Sequence, residues 1–357
     1  MLKYIKNRLD DYNANYFINE LAEASKGLGV LEAKINSYQY NSILIPLFHK
    51  KEAISSMYIE GTQTTISDVF ENEVAPKQKN KKTMLEVHNH TNALVLGAEY
   101  LLTNNFSHDF IKRIHKVMMD GIIAKGKEQA LGRYKEKDNY IVNSAGTIIF
   151  TPPSHTMTKQ YMEELISFMN RESDNIHPLI KAAIIHSQFE SIHPFEDGNG
   201  RVGRLLVSLY LFKAKVINFP FFYISEAISE DKYVYYNKLT DSRNNSYDEW
   251  IKFFLKKIIV QTQKHIRYID DLNNLYERTK QALQEVINSP RYKKILECLF
   301  THPVLNSSIL AEELEVSIVQ SKRYLDILEK NYIVMGNDRK RNRSYYFVEL
   351  IELARRM

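Results

Sequence analysis

Cysteine is nearly absent from this 357-residue sequence, which contains Cys298 alone. A single thiol excludes a disulfide framework and a zinc site built from cysteines. Cys298 lies in the segment YKKILECLFTH, where apolar residues recur at helical spacing. We therefore expect a buried structural thiol rather than a nucleophile.

Long apolar runs are missing as well. No stretch approaches the roughly 20 apolar residues that cross a bilayer, and the N-terminus, MLKYIKNRLDDYNANYF, lacks the apolar block of a signal peptide. We therefore expect a cytoplasmic protein with no membrane partner. A large excess of one charge is also missing, since the net charge is +5. This balance permits nucleic-acid binding without predicting it.

Helical periodicity dominates what is present. Most segments place apolar residues three and four apart, as in HPLIKAAIIHSQFESI. The clearest strand signal is NYIVNSAGTIIFTPP, in which two β-rich runs flank the turn-forming NSAG and two prolines end the second run. We predict a mainly α fold with one β-hairpin.

The C-terminal part changes character after NSPRY at residues 288–292. Three helical segments and a basic hairpin follow, which is the element order of a winged helix, with SIVQSKRYLDILEK in the recognition-helix position. The basic residues of this part predict either contact with DNA phosphates or a solvated surface, and winged helices also bind proteins. These residues are Lys322, Arg323, Arg339, Lys340, Arg341 and Arg343.

The most informative stretch is HPFEDGNGRVGR, residues 193–204. Its glycines allow backbone N–H groups to converge on an anion, and the positive end of the following helix points at the same place. His193 is the natural base at neutral pH, and Asp197 is suited to hold Mg²⁺. Arg201 and Arg204 share a helix face. Together these parts indicate phosphoryl or nucleotidyl transfer.

This stretch resembles, letter for letter, the signature HPF-x-[D/E]-GNGR-x-x-R of the Fic family. The segment KEAISSMYIEGTQTTISDVFENE is similar to the N-terminal region of that family, and ISEDKYVYYNKL and YDEWIKFFL are similar to helices behind its nucleotide pocket. The resemblance implies a helical Fic fold around the motif loop. It also implies an enzyme that transfers AMP from ATP to a hydroxyl of a target protein or of itself, with Mg²⁺ as cofactor.

Carried onto this chain, the resemblance makes His193 the base that deprotonates a Ser, Thr or Tyr hydroxyl, and Asp197 the Mg²⁺ ligand. Arg204 would clamp the terminal phosphate, and the hairpin before Pro152 would be the flap that aligns the target by strand pairing. The expected ATP-binding residues are Glu60, Thr147, Ile148, Ile149, Phe150, His193, Asp197, Gly198, Asn199, Gly200, Arg201, Val202, Gly203, Arg204, Tyr235 and Tyr236.

A second motif concerns control. In SSMYIEGT, residues 55–62, Ser56 and Glu60 share a helix face ahead of Gly61, which can end the helix. This resembles the inhibitory motif [S/T]-x-x-x-E-[G/N] of the family. The resemblance implies that Glu60 pairs with Arg204 where the γ-phosphate must sit, so that the enzyme rests in a low-activity state.

Other reactions stay open at this point. Family relatives transfer UMP, phosphocholine or phosphate, or remove AMP again. A different class of function is a DNA-binding regulator whose Fic-like part only senses nucleotide. The oligomeric state, including a homodimer, is open as well.

Two further patterns do not predict sites. The segment GIIAKGKE, from Gly121, has the spacing of a phosphate-binding P-loop, but Glu128 replaces the Ser or Thr that holds the metal. His88 and His90 are two residues apart on a predicted helix and do not share a face.

We predict four regions and one exposed basic linker at residues 77–82. The regions are an N-terminal helical region with the inhibitory helix (1–105), a Fic catalytic domain (106–256), a connecting helix (257–287) and a winged-helix domain (288–357).

Overall fold

The computed structural model describes residue 5 and residues 12–37, 41–77, 80–142, 146–172, 174–244, 246–339 and 341–356. Helices dominate, as predicted. The first helices along the chain are α1 (Ile18–Ser37), α2 (Asn41–Ile59), α3 (Ile66–Val74), α4 (Lys81–Thr103), α5 (His108–Met119), α6 (His155–Asn170) and α7 (Pro178–Ile192). They are followed by α8 (Asn199–Lys213), α9 (Ser225–Glu230), α10 (Lys232–Asn244), α11 (Asp248–Val286), α12 (Tyr292–Thr301), α13 (Ser307–Leu314), α14 (Ile318–Lys330) and α15 (Val348–Arg356).

Strands are few and short in the described ranges. They are β1 (Ile141–Val142), β2 (Ile148–Phe150), β3 (Val304–Asn306), β4 (Met335–Gly336) and β5 (Ser344–Tyr346). None of the described helices combines the length and the apolar composition that a membrane crossing requires.

The described residues form two compact units, and both are discontinuous in sequence. The first unit draws on residues 1–36, 55–62 and 85–263, and the second on residues 37–54, 63–84 and 264–357. These bounds differ from the four regions expected from the sequence, which stay predictions.

Several helices begin where the sequence provides a cap. Ser107 accepts a hydrogen bond from the Phe110 N–H at the start of α5, and Thr65 and Asp68 form a capping box at the start of α3. Each cap satisfies an N–H group that has no partner within its helix. Pro178 opens α7, where its missing N–H removes no helical hydrogen bond.

Helix α7 is the centre of the first unit. Residues 179–192 are all buried, which explains why the apolar residues of this helix are not confined to one stripe. Its polar residues, such as His186 and Glu190, are buried as well. It packs against α6, α8 and α10. The approach of α8 is close because Gly203 has no side chain, and a Cβ atom there would collide with Glu190 and Phe189. This contact fixes both ends of the loop that joins α7 to α8.

Strands β1 and β2 form the predicted hairpin, antiparallel, with Ile141 opposite Phe150. We call these two strands the flap hairpin. Ile141 and Phe150 are half-buried, whereas Val142, Ile148 and Ile149 are exposed. Residues 143–145 of the expected NSAG turn lie outside the described residues.

The second unit contains the three helices and the hairpin expected near the C-terminus. Helices α12, α13 and α14 precede β4 and β5, and β3 adds a third strand to an antiparallel sheet of order β3-β5-β4. Strand β3 and helix α15 were not predicted. We call α12 to α15 with this sheet the C-terminal module.

Cys298 of the C-terminal module is buried, and burial raises the pKa of its thiol to about 12. A thiol that resists ionisation is a poor nucleophile, which confirms the prediction of a structural cysteine. Lys340 of the predicted basic hairpin lies outside the described residues, as do Gln78 and Lys79 of the predicted linker.

Candidate active site

His193 lies where α7 ends and the motif loop begins. Its φ of 48° is in the left-handed region, which a residue with a side chain adopts at a cost in energy. Its N–H donates to the Phe189 carbonyl at 3.0 Å and so caps the helix. Strain of this kind persists only where surrounding contacts hold it, and the contacts of the loop explain how it is held.

The loop is first held by residues of the motif itself. Asn199 Oδ1 accepts from the Phe195 N–H at 2.8 Å, and Asn199 Nδ2 donates to the Phe195 carbonyl at 2.8 Å. Both ends of the Asn199 amide are therefore bonded within the loop. The sequence grouped Asn199 with the phosphate-binding residues, but the structure places its side chain in loop closure.

His115 of α5 also contacts this loop and was not predicted from the sequence. Its ring stacks on the fully buried Phe195, with ring centres 3.8 Å apart. Its Nε2 lies 3.1 Å from the Asp197 carbonyl oxygen, and its Nδ1 accepts from the Gly132 N–H at 3.1 Å. Burial lowers the pKa of His115 to about 4, so this ring is neutral at pH 7.

Lys135 and Asn139, also not predicted, bind the backbone around His193. Lys135 Nζ donates to the Ile192 carbonyl at 3.2 Å and to Asn139 Oδ1 at 2.8 Å. Asn139 Nδ2 in turn donates to the carbonyls of His193, at 3.1 Å, and Phe195, at 3.0 Å. The carbonyls of Ile192, His193 and Phe195 therefore have donors, which stabilises the unusual backbone at His193.

The N-terminus of α8 forms an anion position. Gly198 caps the helix with a φ of 78°, and a side chain there would meet Met119 Sδ at 2.6 Å. A Cβ atom on Gly200 would collide with the carboxylate of Glu60. The absence of that atom lets an anionic group lie against the positive end of the helix. Glu60 therefore lies where the sequence predicted a phosphate.

Arg204 holds the segment that carries Glu60. It is 2% exposed, and its Nη2 donates to Glu60 Oε1 at 2.7 Å. Its Nε donates to Ser56 Oγ at 3.0 Å, and Nη2 also donates to the Ser56 carbonyl at 2.9 Å. Gly61, with a φ of 96°, lies two residues after α2 ends at Ile59. The pair of Glu60 and Arg204 implied by the inhibitory motif is present in the structure.

The electrostatic surroundings determine the protonation states of His193 and Glu60. Burial, followed by the charge of Lys135, lowers the pKa of His193 to about 4, so the imidazole is neutral at pH 7. A neutral imidazole is the form that accepts a proton. Loss of solvent would raise the pKa of the Glu60 carboxyl, but the Arg204 guanidinium outweighs this effect and holds that pKa below its usual value. Glu60 is therefore an anion at pH 7.

Asp197 faces outward beside the anion position. Its side chain is 53% exposed, and Oδ1 lies 3.5 Å from Arg201 Nη2. Oδ1 also accepts from the Gly198 N–H at 2.6 Å. Arg201 is thus paired with Asp197, whereas Arg204 is paired with Glu60. The two arginines predicted to share a helix face therefore have different partners.

Other residues expected to contact ATP lie at different depths. Thr147, Ile148 and Ile149 are exposed on the flap hairpin segment, but Val202 is fully buried in α8. The position of Val202 therefore does not support a side-chain contact with nucleotide.

The two tyrosines expected near adenine also differ. Tyr235 is 1% exposed and its hydroxyl lies 3.0 Å from His186 Nε2, so it is a core residue. Tyr236 is half-buried and donates to the Ile59 carbonyl at 3.4 Å. Of this pair, Tyr236 is the one placed beside the segment that ends in Glu60.

The structure also describes the two patterns from which no site was predicted. His88 is exposed and His90 is buried, so the two histidines face opposite ways. Gly121 lies in a loop after α5, with a φ of 66°, as expected for a helix end. In the described ranges no group of three or more His, Cys, Asp or Glu residues is arranged to hold a metal ion.

Comparisons with known proteins agree with the motifs. The model of the Fic/DOC family matches residues 105–211, and the model of the N-terminal region of that family matches residues 18–99. The chain is 32% identical over 159 residues to a Fido domain-containing protein of Dictyostelium discoideum, a match that covers 44% of this chain and 99% of that protein. It is 38% identical over 66 residues to the protein adenylyltransferase fic-1 of Caenorhabditis elegans, which is 18% of this chain and 13% of that protein.

The fold has a solved counterpart as well. A Fic family protein from Desulfovibrio desulfuricans G20 superposes with a TM-score of 0.60 at 20% identity, and the match covers 94% of this chain and 97% of that one. At this identity the likeness concerns the fold. Two family models over more than half of the chain, a relative matched over nearly its whole length and an intact signature loop place this chain in the Fic/DOC family.

Proposed function

We propose that this chain is a protein adenylyltransferase, which moves AMP from ATP to a hydroxyl of a target protein and of itself. The proposal is carried by one observation: the motif loop has a neutral His193 at its start and leads to an anion position at the N-terminus of α8. The name of the nematode relative, a protein adenylyltransferase, supports the same reaction. Because the chain matches 13% of that relative's length, the activity is inferred from the site.

The site residues suggest a division of roles in the reaction. His193 takes the proton of the target hydroxyl, and the hydroxyl oxygen attacks the α-phosphorus. The bond from that phosphorus to the bridging oxygen breaks, and pyrophosphate leaves. Backbone N–H groups of α8 and the guanidinium of Arg204 stabilise the phosphate charges.

The residues at the site fit Mg²⁺. Asp197 offers an exposed carboxylate, and magnesium is commonly bound through one or two carboxylates plus the phosphates of the substrate. When bound, the ion neutralises phosphate charge. Asp197 would hold it beside the N-terminus of α8.

We further propose that Glu60 inhibits the enzyme. Its carboxylate lies against Gly200 and binds Arg204, so it competes with the terminal phosphate of ATP for the same guanidinium. ATP would then bind with its α-phosphate out of line with His193. Glu60→Gly removes the competitor, and we expect AMP transfer to rise about tenfold or more, within the usual range of a regulatory coupling.

Incubation with ATP labelled at the α- or the γ-phosphorus tests both proposals. AMP transfer predicts label on protein from the α position alone, more of it in Glu60→Gly, and loss of that gain when Arg204→Ala is added. Glu60→Gln is the matched control, because it keeps the side-chain size and removes the charge. Equal labelling of wild type and Glu60→Gly across ATP concentrations contradicts inhibition and leaves the transfer reaction standing.

The same assay separates the other reactions. Label from the γ position would indicate phosphate transfer, label from UTP would indicate UMP transfer, and release of AMP from labelled protein would indicate removal. If neither label of ATP is transferred by any variant, the adenylyltransferase proposal fails.

A second candidate function, DNA binding, is favoured by the C-terminal module. The exposed face of α14 carries Val319, Lys322 and Arg323, and the hairpin after it carries the exposed Arg339 and Arg341. No ion pair joins these four cations to another described residue. Unpaired cations on a helix and an adjacent hairpin suit the phosphates on either side of a DNA groove.

The hairpin is also fixed to the helix. Arg343 binds Glu329 of α14 through two hydrogen bonds, at 2.9 and 2.6 Å, and its Nε donates to the Asn337 carbonyl at 2.8 Å. Arg343, predicted as part of the basic surface, is thus engaged within the module. This bidentate pair holds the two cationic elements in one geometry, which lowers the entropy lost on binding.

Fluorescence anisotropy with a random-sequence DNA duplex tests this candidate on the full chain. Lys322→Ala with Arg323→Ala should weaken binding and reduce the salt dependence by about one unit of slope per lost phosphate contact. Lys26→Ala with Lys159→Ala removes two exposed cations of the first unit and is the matched control. No binding at low salt, or equal losses in both pairs, argues against DNA.

A further inference from the structure

Arg243 is a buried arginine that no sequence motif singled out. It lies near the end of α10 and is 7% exposed. The central carbon of its guanidinium is 3.9 Å from the centre of the Phe150 ring. Its Nε donates to Ser191 Oγ at 3.3 Å. The side chain therefore contacts the flap hairpin on one side and the end of α7 on the other.

The flap hairpin needs an anchor of this kind. Its strands are two and three residues long, and a two-stranded hairpin is marginally stable by itself. Ile148 and Ile149 are exposed, so most of β2 has no core to pack against. Phe150 is the half-buried residue of β2 and pairs with Ile141 of β1. A contact that fixes Phe150 therefore fixes both strands.

The other contact of Arg243 leads to the catalytic loop. Ser191 is 1% exposed and lies two residues before His193. Its hydroxyl donates to the Ser187 carbonyl at 2.7 Å and accepts from Arg243, so its orientation is determined at both ends. One guanidinium thus joins the last turn of α7 to the flap hairpin.

A buried carboxyl group stabilises the charge of Arg243. Glu190 is 6% exposed, and its Oε1 has no hydrogen-bond partner in the described structure. Burial raises the pKa of Glu190 to about 7, while the charges of Arg204 and Arg243 act in the opposite direction. Arg204, which binds the inhibitory segment, and Arg243, which binds the flap hairpin, therefore act on the same carboxyl.

We infer that Arg243 is a positioning residue for AMP transfer: by stacking on Phe150 it holds the flap hairpin, and with it the docked target, in line with His193. The inference rests on the proposed adenylyltransferase function and deepens it. The planar guanidinium is the essential feature, because a planar cation can lie face to face on a ring, whereas an ammonium group of the same charge acts on a ring only as a point charge. ATP itself does not need the stack, since its phosphates are bound at α8.

The exchange Arg243→Lys, made in the Glu60→Gly background, tests this inference because it keeps the charge and removes the planar group. The maximal rate of self-modification with α-labelled ATP should fall by about tenfold or more, since misplacement of a reacting group by about 1 Å lowers the rate by up to about 100-fold. The ATP concentration for half-maximal rate should change less than twofold. Phe150→Leu should reproduce the loss, and the double substitution should be no worse than either single one.

Hydrogen exchange of the flap-hairpin amides provides a readout that does not depend on catalysis. Hydrogen exchange of these amides should be faster in Arg243→Lys. Lys238→Arg, a similar substitution on the same helix, should leave both the hydrogen-exchange rate and the transfer rate unchanged. If the Glu60→Gly parent transfers no label, the proposed function fails. The hydrogen-exchange data then still decide whether Arg243 anchors the hairpin. Unchanged hairpin exchange, or loss of ATP affinity in parallel with rate, overturns the inference.

Discussion

At the scale of single residues, His193 combines a strained backbone with a neutral ring. The positive φ places it outside the helix that precedes it, and the hydrogen bonds of Asn139 and Lys135 hold the surrounding carbonyls. Burial, together with the charges of neighbouring cations, lowers the pKa of His193 to about 4. The ring is thus in its base form throughout the neutral range.

His193→Ala should remove AMP transfer and leave ATP binding largely intact, because in the proposed reaction the imidazole acts on the incoming hydroxyl and the phosphates bind at α8. Loss of a general base costs about 10²–10⁴-fold in rate. Transfer from α-labelled ATP in the Glu60→Gly background measures the rate, and calorimetry measures ATP binding. Retention of near-parental transfer would contradict the assignment of the base.

Asp197→Ala should weaken transfer and reduce its dependence on Mg²⁺, because the variant lacks the carboxylate that we propose would hold the ion. Arg201 loses its partner in the same variant, so Arg201→Ala is the matched control for that effect. A magnesium titration of the transfer rate checks the prediction. An unchanged magnesium dependence in Asp197→Ala would show that the ligand assignment is wrong.

The residues that a motif names could be predicted from the sequence, and those that depend on distant neighbours could not. The pair of Glu60 and Arg204 was expected because each belongs to a motif, and the structure brings them within 2.7 Å. Glu190 and Arg243 carry no local pattern, since their meaning depends on which charges surround them after folding. Tyr235 is the opposite case: its place in a motif-like segment suggested adenine, and in the structure its hydroxyl lies 3.0 Å from His186 Nε2 in the core.

At the scale of elements, close helix packing around the site depends on missing side chains. Gly97 of α4 faces α8 and α5, and a Cβ atom there would lie 2.7 Å from Leu209 Cδ1 and 3.1 Å from Ile114 Cδ1. Gly29 of α1 has no atom within 4 Å of the equivalent position. The two glycines are therefore matched in helix context and opposite in packing.

Gly97→Ala should destabilise the protein, and Gly29→Ala should stabilise it. Overpacking a core costs about 1–3 kcal/mol, which outweighs the gain of up to about 1 kcal/mol from the better helix propensity of alanine. Gly29→Ala has the gain without the clash. Urea unfolding of both variants measures the difference, and a Gly97→Ala protein as stable as the parent would show that α4 and α8 can move apart freely.

Long elements with strong periodicity were predictable, and short ones were not. The pattern of α7 and the hairpin signal of β1 and β2 were both recognised because composition and turn residues agreed. Strand β3 spans three residues, too few for an alternation to be visible. The connecting helix was expected from residue 257 but is part of α11, which begins at Asp248, because no cap or breaker separates the two segments.

At the scale of the whole molecule, both compact units contain buried histidines. Burial is the largest cause that lowers their pKa values, to about 4 for His49 and His115 and to about 3 for His186 and His265. The discontinuous make-up of the units was not predictable, because a sequence pattern shows which faces are apolar and not which segments cover them. The acid response that follows from these histidines involves both units.

The sign of that response is determined by the folded and unfolded pKa values. An unfolded histidine binds a proton below pH about 6.5, whereas these four buried groups do so only near their lowered pKa values of about 4 or about 3. The unfolded chain therefore binds more protons between these limits, and stability present above pH 6.5 is lost as the pH falls. Glu190 acts oppositely, because its pKa is raised to about 7, but it is one group against these four histidines and His193, whose pKa is also lowered to about 4.

We therefore expect the free energy of unfolding to decrease steadily from pH 7 to pH 5, with each fully titrating histidine contributing a slope of about 1.4 kcal/mol per pH unit at most. His186→Gln should reduce this slope by up to one such contribution, even if its loss of the Tyr235 contact lowers stability at every pH. His88→Gln, at an exposed position, should leave the slope unchanged. Urea unfolding at closely spaced pH values checks all three proteins. A stability that stays level from pH 7 to pH 5 would mean that the buried histidines bind protons in the folded state, and that water reaches their rings despite the packing around them.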